Sequence, residues 1–469
     1  MTEKTPEVIM ILKKFVGDRA FYKRILAIAI PIIVQNGLTQ FVNLLDNVMV
    51  GSLGTEAMSG VSIVNQFVFI FNLLIFGAMS AGGIFTAQYH GSGDVSGVRN
   101  TFRFKLIAAV LLGAFGTAAF LAFDEALISS FLHAGEGGGD LLLTLKHGKD
   151  YLTVFVIGMI PYALSQAYAS TLRETGETVL PMYSSIVAIV CNCLLNALFI
   201  FGLSMGVRGA AIATVISRFV ELAFIVILTH TRHSRYRFVR GAYRSFKLPR
   251  TLVFNIAVRG LPIILNECLW SVAMTMRNQA YSLRGLDVVA AINISSVIIN
   301  LASVVYLSCG AAIAIIVGAE LGSGNIEKAR DSAWKMLAFS VFCATVMGAV
   351  MLVAAPFFPL IYETSDTVRS LAAYMTVVSG LLLPFYAISH ASYFAIRSGG
   401  NVLVTFLMDS GFMWSIVVPL SLAIGHFTNL DIHIFFLICQ ATEILKLLAG
   451  LFILCRGRWA KQLVGDKKI

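Results

Sequence analysis

The sequence predicts an all-α polytopic membrane protein, with twelve transmembrane helices in two six-helix lobes related by a pseudo-two-fold axis along the membrane normal. Three observations predict it. Of 469 residues, 58% are hydrophobic and 13% charged, against ~45–50% apolar and ~25% charged in soluble chains. The apolar residues gather into twelve windows, each near the about 20 residues that cross ~30 Å of hydrocarbon. The chain also matches itself when shifted by about half its length. These features leave no room for a sizeable soluble catalytic domain.

The windows run near 25–50, 59–86, 104–124, 149–172, 179–202, 209–230, 252–282, 288–318, 334–355, 371–396, 402–425 and 432–455. They divide the chain into an N-terminal segment 1–24, an N-lobe 25–230, a basic linker 231–251, a C-lobe 252–455 and a tail 456–469. Basic residues are retained on the cytoplasmic side. With the N-terminus inside, the inner segments hold 26 Lys and Arg and the outer loops 5 (Lys146, Lys149, Arg208, Arg284, Arg369). Both termini are therefore expected in the cytoplasm, the spans lying in the cytoplasmic (inner) membrane. The first 24 residues carry six basic side chains before an apolar run without a small-residue cleavage site, which argues against a cleaved signal peptide. The seven cysteines fall in apolar stretches with neither CxxC nor a zinc spacing, so they read as packing residues and no metal is expected.

The linker, TRHSRYRFVRGAYRSFKLPR over 231–250, holds seven basic residues and no acid. Such charge suits nucleic acid, but a short inner linker beside anionic lipid needs no such partner, and none is expected. On either side of it the halves correspond. An offset of 231 takes Pro31, Asn47, Gly54, Gly91, Gly93 and Arg99 onto Pro262, Asn278, Gly285, Gly322, Gly324 and Arg330. Past the glycine-rich AGEGGGD, an offset of 224 takes Tyr162, Arg173 and Gly176 onto Tyr386, Arg397 and Gly400. Six spans per half is an even number, so both halves enter and leave on one side. That geometry suits a secondary transporter that rocks between inward-open and outward-open states.

An ionisable side chain near the bilayer centre costs ~2.5 kcal/mol or more and needs a reason, pairing for structure being one. In the first span Gln35, Asn36, Thr39, Gln40, Asn43, Asp46 and Asn47 share about 140° of the helix at ~100° per residue, a stripe that must face protein or a water-filled cavity. Asp46 is the acid of that stripe, and its span holds no Lys or Arg. It is either protonated through burial, a cation ligand, or a hydrogen-bonded structural acid. Asn192 and Asn196, four apart, and Thr214 offer neutral oxygens suited to a hard-cation shell, or equally polar links between helices. The seventh span has its own stripe of Asn266, Glu267, Trp270, Ser271, Arg277, Asn278 and Tyr281, and the offset puts Arg277 where the first half has Asp46. Glu267 could titrate or contact a cationic substrate, Arg277 could snorkel or pair with an acid, and Asp409 is undecided. Arg218 with Glu221, and Glu443 with Lys446, are spaced i, i+3 to neutralise one another. Tyr386, His390 and Tyr393 share a face that suits either an aromatic cavity wall for an organic cation or helix packing.

The run PIIVQNGLTQFVNLLDNVMVGSLG with its Asp46, the GSGD after the second span, LRETGET after the fourth, and the NxxxN of the fifth running into LFIFG together resemble the multidrug and toxic compound extrusion (MATE) family, a prokaryotic branch, over about residues 25–455. The resemblance implies antiport: an organic cation or other amphiphile leaves as H⁺ or Na⁺ enters, with no other cofactor and no obligate protein partner. It maps the family's N-lobe cation site onto Asp46, Asn192, Asn196 and Thr214. Many members have Asp where this chain has Asn196, so a carboxylate is missing. Relatives that use an acid in the seventh span place it near Trp270 or Ser271 rather than at Glu267. Gln35, Thr39, Asn43, Glu267, Trp270, Arg277, Tyr386, His390 and Asp409 are the candidate substrate-cavity residues. The alternative is a flippase for lipid-linked saccharides, which needs several basic residues for pyrophosphate where this chain offers Arg277. The chain lacks HExxH, GxSxG and GxxxxGK[ST], which argues against a membrane enzyme and against ATP as a direct energy source, and it lacks a repeated filter sequence of a channel.

Overall fold

A computed structural model of the protein describes residues 15–130 and 140–465, apart from the side chains of Asn43 and Leu44. Most of the expected N-terminal segment and of the glycine-rich loop lies outside the described residues, as does the side chain of Asn43. Among the described residues, twelve helices are long and apolar enough to cross a membrane. They are α1 Arg19–Gly51, α2 Thr55–Gly91, α3 Val95–Ala122, α4 Leu141–Glu174, α5 Val179–Gly202, α6 Gly206–Thr231, α7 Arg250–Ser282, α8 Leu286–Gly322, α9 Ile326–Ala354, α10 Asp366–Ser398, α11 Val402–Phe427 and α12 Ile432–Arg456. Several outrun the expected windows, among them α3 and α4 at their N-termini. For α4, Asp140 accepts hydrogen bonds from the amides of Leu142 and Leu143, a cap that starts the helix at Leu141, ahead of its expected window. A six-residue helix, Asp124–Ser129, precedes that gap.

The repeat is visible in the backbone. Gly54 and Gly285 have φ of 111° and 115°, Gly93 and Gly324 of 75° and 81°, Gly176 and Gly400 of 82° and 77°. These are left-handed positions that favour glycine, so the turns match residue for residue. After the first of the two loops Asp94 caps α3, its carboxylate accepting from the Gly97 amide at 2.9 Å. Asn325 caps α9 in the same way, accepting from the Lys328 amide at 3.2 Å. Burial repeats too: 56% of the most apolar window of α2, 56% of α4, 61% of α8 and 56% of α10 is buried, against 28–39% in the other eight. The second and fourth helices of each half are therefore the ones surrounded by protein.

Contacts divide the chain into two units. One takes the described residues up to Ile33, Ala87–Gly93 and the described residues from Leu261 on. The other takes Val34–Thr86 and Asp94–Gly260. Within the first, the end of α2 crosses α8 backbone to backbone. A Cβ on Gly91 would strike the carbonyl of Ala319, and one on Gly322 the carbonyl of Gln88. The partners are the same pair of positions in each half, separated by 231.

Both segments that follow a six-helix half fold back onto their own unit. The tail buries Trp459, Gln88 accepts from the Leu463 amide at 2.6 Å, and Arg330 donates to the Gly457 carbonyl at 2.8 Å. In the second unit Arg99, the repeat equivalent of Arg330, donates to the Phe238 carbonyl of the linker at 3.3 Å. The linker is thus a packed element, with Tyr236, Phe238, Val239 and Ala242 buried, where the sequence suggests only a lipid-facing connection.

Lys105, at the start of the third expected window and one of the 26 basic residues counted on the inner side, is fully buried. It is ion-paired with Glu174 and donates to Ser170 at 2.8 Å. Its stem lies over Gly82, where an added Cβ would meet it. Removing one partner of a buried pair strands the other charge, at a cost of about 3–5 kcal/mol. Lys105→Met should therefore lower the melting temperature of the detergent-purified protein sharply, and Lys105→Met with Glu174→Leu should recover part of the loss. Equal melting of the wild type and the single variant would mean that the pair adds nothing.

Candidate functional site

In the second unit the structure brings together the four residues assigned to cation coupling. α1 carries Asp46, one face of α5 carries Asn192 and Asn196, and α6 carries Thr214. Asn196 Nδ2 donates to Asp46 Oδ1 at 2.8 Å and to Asn192 Oδ1 at 3.2 Å. Asn192 Nδ2 donates to Thr214 Oγ1 at 3.3 Å. With the Asn192 amide turned over, its nitrogen instead faces both Asp46 oxygens, at 3.1 and 3.2 Å. Asn196 Oδ1 is buried without a hydrogen-bond partner. No Lys or Arg stands within ion-pair distance of Asp46 among the described residues. The site is therefore one carboxylate, three neutral side chains and a free buried acceptor. α5 turns π-helical directly after Asn196, over Ala197–Gly202, a local widening of the kind that recurs at functional sites.

Beside that cluster runs a polar line that sequence reasoning found only in part. Arg173 donates to Gln35 Oε1 at 3.3 Å, Gln35 Nε2 to Ser185 Oγ at 2.7 Å, and Ser185 Oγ to Glu221 Oε1 at 3.1 Å. Arg218 pairs with Glu221 at 3.1 Å, as the spacing suggests, and its guanidinium lies 4.8 Å from the Tyr162 ring. Gln35 is therefore a buried link between helices. Thr39 is exposed and donates to the Gln35 carbonyl of its own helix at 2.9 Å. A small cavity is lined by Phe71, Phe155, Met159, Tyr162, Thr214 and Arg218 among others. Thr214 thus belongs both to the cavity wall and to the Asp46 cluster.

In the first unit the corresponding line exists with its charges exchanged. Asn266 Nδ2 donates to Asp409 Oδ2 at 2.9 Å, and Lys446 Nζ to Asp409 Oδ1 at 2.6 Å. Asn266 is itself fixed, its Oδ1 accepting from Ser410 Oγ at 2.9 Å. Lys446 therefore spends its charge on Asp409 of α11, not on Glu443 as the i, i+3 spacing suggests. Glu443 is buried with Oε1 unpartnered. α11 is π-helical over Leu407–Gly411 and again over Met413–Val417, which turns Asp409 toward α12. An offset of 231 takes Gln35 to Asn266, 224 takes Ser185 to Asp409, and 225 takes Glu221 to Lys446 and Arg218 to Glu443. The repeat arithmetic held this correspondence, had it been carried into the fifth and sixth spans.

The other residues assigned to a substrate cavity fall around this second line. Trp270 is half-buried against the cluster of Ala273, Met413, Val417 and Val418, a packing environment. Tyr386 donates to Gln440 Oε1 at 2.6 Å, and its ring stacks 6.4 Å from that of Tyr306. His390 Nδ1 lies 3.0 Å from the Tyr386 carbonyl, and its ring is 4.8 Å from that of Tyr306. Arg277 meets no acid within ion-pair distance among the described residues. Its Nε is buried without a partner, and its guanidinium lies 5.8 Å from the Tyr281 ring. Glu267 is half-buried on the same helix.

Comparison with known proteins bears on what these sites serve. A family model described as MatE matches residues 31–198 and 262–423, one match in each half. A protein of Thermotoga maritima described as a probable multidrug resistance protein, NorM, is 23% identical over 94% of this chain and 94% of its own. The multidrug resistance protein PmpM of Pseudomonas aeruginosa is 26% identical over 87% of this chain and 84% of its own. Among solved structures, the outward-facing conformation of a multidrug resistance MATE family transporter superposes with a TM-score of 0.83. It is 22% identical and covers 97% of this chain and 100% of that one.

The geometry separates two readings of Lys446. If Asp409 is its partner, Lys446→Met strands a buried carboxylate and should cost about 3–5 kcal/mol, whereas Glu443→Gln should cost far less. Thermal melting of both variants decides it, and the reverse order would restore the pairing within α12.

Proposed function

Because the chain belongs to the MatE family, whose members are membrane transporters and not enzymes, we propose that it is a secondary active antiporter that exports small organic cations across the cytoplasmic membrane. Both termini lie in the cytoplasm, and H⁺ or Na⁺ enters as the substrate leaves. The observation that carries this reading is the Asp46 cluster. A half-buried carboxylate is held by the Asn196 amide at 2.8 Å and, among the described residues, has no basic partner in ion-pair distance, while the buried Asn196 Oδ1 accepts no hydrogen bond. A proton on Asp46 turns it from an acceptor into a donor. A sodium ion would instead be offered one carboxylate and the oxygens of Asn192, Asn196 and Thr214, a hard-oxygen set that leaves the site neutral.

Coupling follows from what Thr214 touches. Its hydroxyl stands between the amides around Asp46 and the cavity, whose Tyr162, Phe71 and Phe155 present aromatic surface to a flat cation. A cation entering the ion site rearranges the hydrogen bonds of Asn192 and Thr214 and so alters the cavity wall. The ion and the substrate can drive alternating access only if they prefer different conformations. Arg218 does not repel a cationic substrate at full strength, because Glu221 neutralises it at 3.1 Å.

The reading is tested by ethidium flux in proteoliposomes under an imposed proton or sodium gradient, each alone. Flux driven by one ion and lost in Asp46→Asn, with folding retained, is the expected result. Flux unchanged in Asp46→Asn would remove the coupling role. No flux under either gradient would favour a lipid-linked saccharide as the cargo. Asn196→Asp adds the second carboxylate that many relatives carry, and should lower the sodium concentration for half-maximal flux by about tenfold, ~1.4 kcal/mol of added ion binding.

A further inference from the structure

Most of the polar chemistry described above lies in the spans, yet a dense run of basic residues lies outside them, on the linker between α6 and α7. The fold makes it a built surface. Two short 3₁₀ turns, Arg237–Val239 and Ala242–Arg244, are joined through Gly241 at φ 70°, a conformation that suits glycine. From the inner side Arg103 of α3 grips the turn, Nε donating to the Ala242 carbonyl and Nη2 to the Gly241 carbonyl, both at 2.7 Å. Phe238 packs edge-on against Phe102 with centroids 5.2 Å apart. Tyr243 is anchored from below through its hydroxyl to Tyr168, and its ring stacks 5.6 Å from that of His230.

The outer side is cationic. Arg232, Arg237, Arg240, Arg244, Lys247 and Arg250 are exposed. None stands within ion-pair distance of an acid among the described residues, Arg235 alone of the linker pairing with Glu177 at 2.6 Å. Among these cations Tyr243 and Phe246 are half exposed, 50% and 49%, with ring centroids 6.2 Å apart. Since α6 ends at Thr231 and α7 begins at Arg250, the surface stands where the chain leaves the bilayer. Fixed cations with aromatic rings between them, at that depth, match a layer of anionic headgroups over the acyl boundary.

We propose that the linker is a preorganised site for anionic phospholipid headgroups, and that lipid bound there braces the α6–α7 connection during transport. Each basic side chain near an anionic surface contributes on its own, and here the backbone that carries them is already held by Arg99 and Arg103. Binding therefore orders side chains but not the chain, which keeps its entropic cost low. Phosphatidylglycerol is the probe, because its charge resides in the phosphate that guanidinium groups recognise best.

The experiment uses the purified full chain, delipidated and exchanged into mixtures of phosphatidylcholine and phosphatidylglycerol, with retained lipid counted by native mass spectrometry. The wild type should retain phosphatidylglycerol in preference to phosphatidylcholine. The Arg237→Gln/Arg240→Gln/Arg244→Gln variant should bind it about tenfold more weakly or worse, with its melting temperature little changed. The matching triple Arg→Lys variant should keep most of the binding. Equal retention by wild type and glutamine variant overturns the proposal, and so does equal retention of the two lipids by the wild type. Wild-type preference for an oligonucleotide over phosphatidylglycerol vesicles, lost in the glutamine variant, would overturn it in favour of nucleic acid. Lipid retention is read without any gradient or drug, so its failure is distinct from failure of the antiport reading.

Discussion

A polar side chain placed in hydrocarbon has to find its partner inside the protein, and the rest of the molecule depends on how that demand is met. Lys105 finds Glu174 and Ser170, Arg218 finds Glu221, and Lys446 finds Asp409. Each pairing ties one helix to a neighbour or fixes a rotamer on its own. Once these are accounted for, the charged groups without an ion pair stand out. Asp46, held by the Asn196 amide at 2.8 Å with no Lys or Arg in ion-pair distance among the described residues, is the clearest of them. In a water-soluble protein such a carboxylate would be unremarkable, because solvent would serve it.

The two halves satisfy the same demand with opposite signs. The line Gln35, Ser185, Glu221, Arg218 in one unit and the line Asn266, Asp409, Lys446, Glu443 in the other occupy equivalent positions, yet acid stands for base in the last two members. Duplication preserved what the backbone needs: the left-handed glycines, the caps before α3 and α9, the close approach at Gly91 and Gly322. It did not preserve charge: Glu221 and Arg218 on α6 stand where α12 has Lys446 and Glu443, so each position carries the opposite sign. Freed from an identical role, one half keeps a lone carboxylate at Asp46 and the other a guanidinium at Arg277, whose Nε meets no partner.

The linker and the tail obey a related rule at the membrane boundary. Each follows the last helix of its half and is caught by an arginine at the start of the third helix, Arg99 or Arg330. Backbone carbonyls that would otherwise be spent on water are spent on guanidinium groups, and an apolar residue, Phe238 or Trp459, is buried beneath. The connection between halves is thereby a shaped surface with a defined outer face, although its composition alone reads as a charged loop.

Composition and periodicity by themselves determined the twelve spans, the two-fold repeat and the stripe that carries Asp46. Each rests on local quantities: a run of apolar residues must be about as long as the bilayer is thick, and a helix repeats every 3.6 residues. The grouping of Asp46 with Asn192, Asn196 and Thr214 was reachable through a family resemblance, since no spacing along the chain says that α1, α5 and α6 meet. Only the tertiary structure decided the partners. The i, i+3 rule served Arg218 and Glu221 but failed for Lys446, because Asp409, in a π turn of the neighbouring α11, stands 2.6 Å from its Nζ. The basic count could not show that Lys105 is buried, because it weighs charge and cannot see a carboxylate on a neighbouring helix. Pairing energy depends on distances in space, and in a bundle of long helices those are set by crossing and by local unwinding.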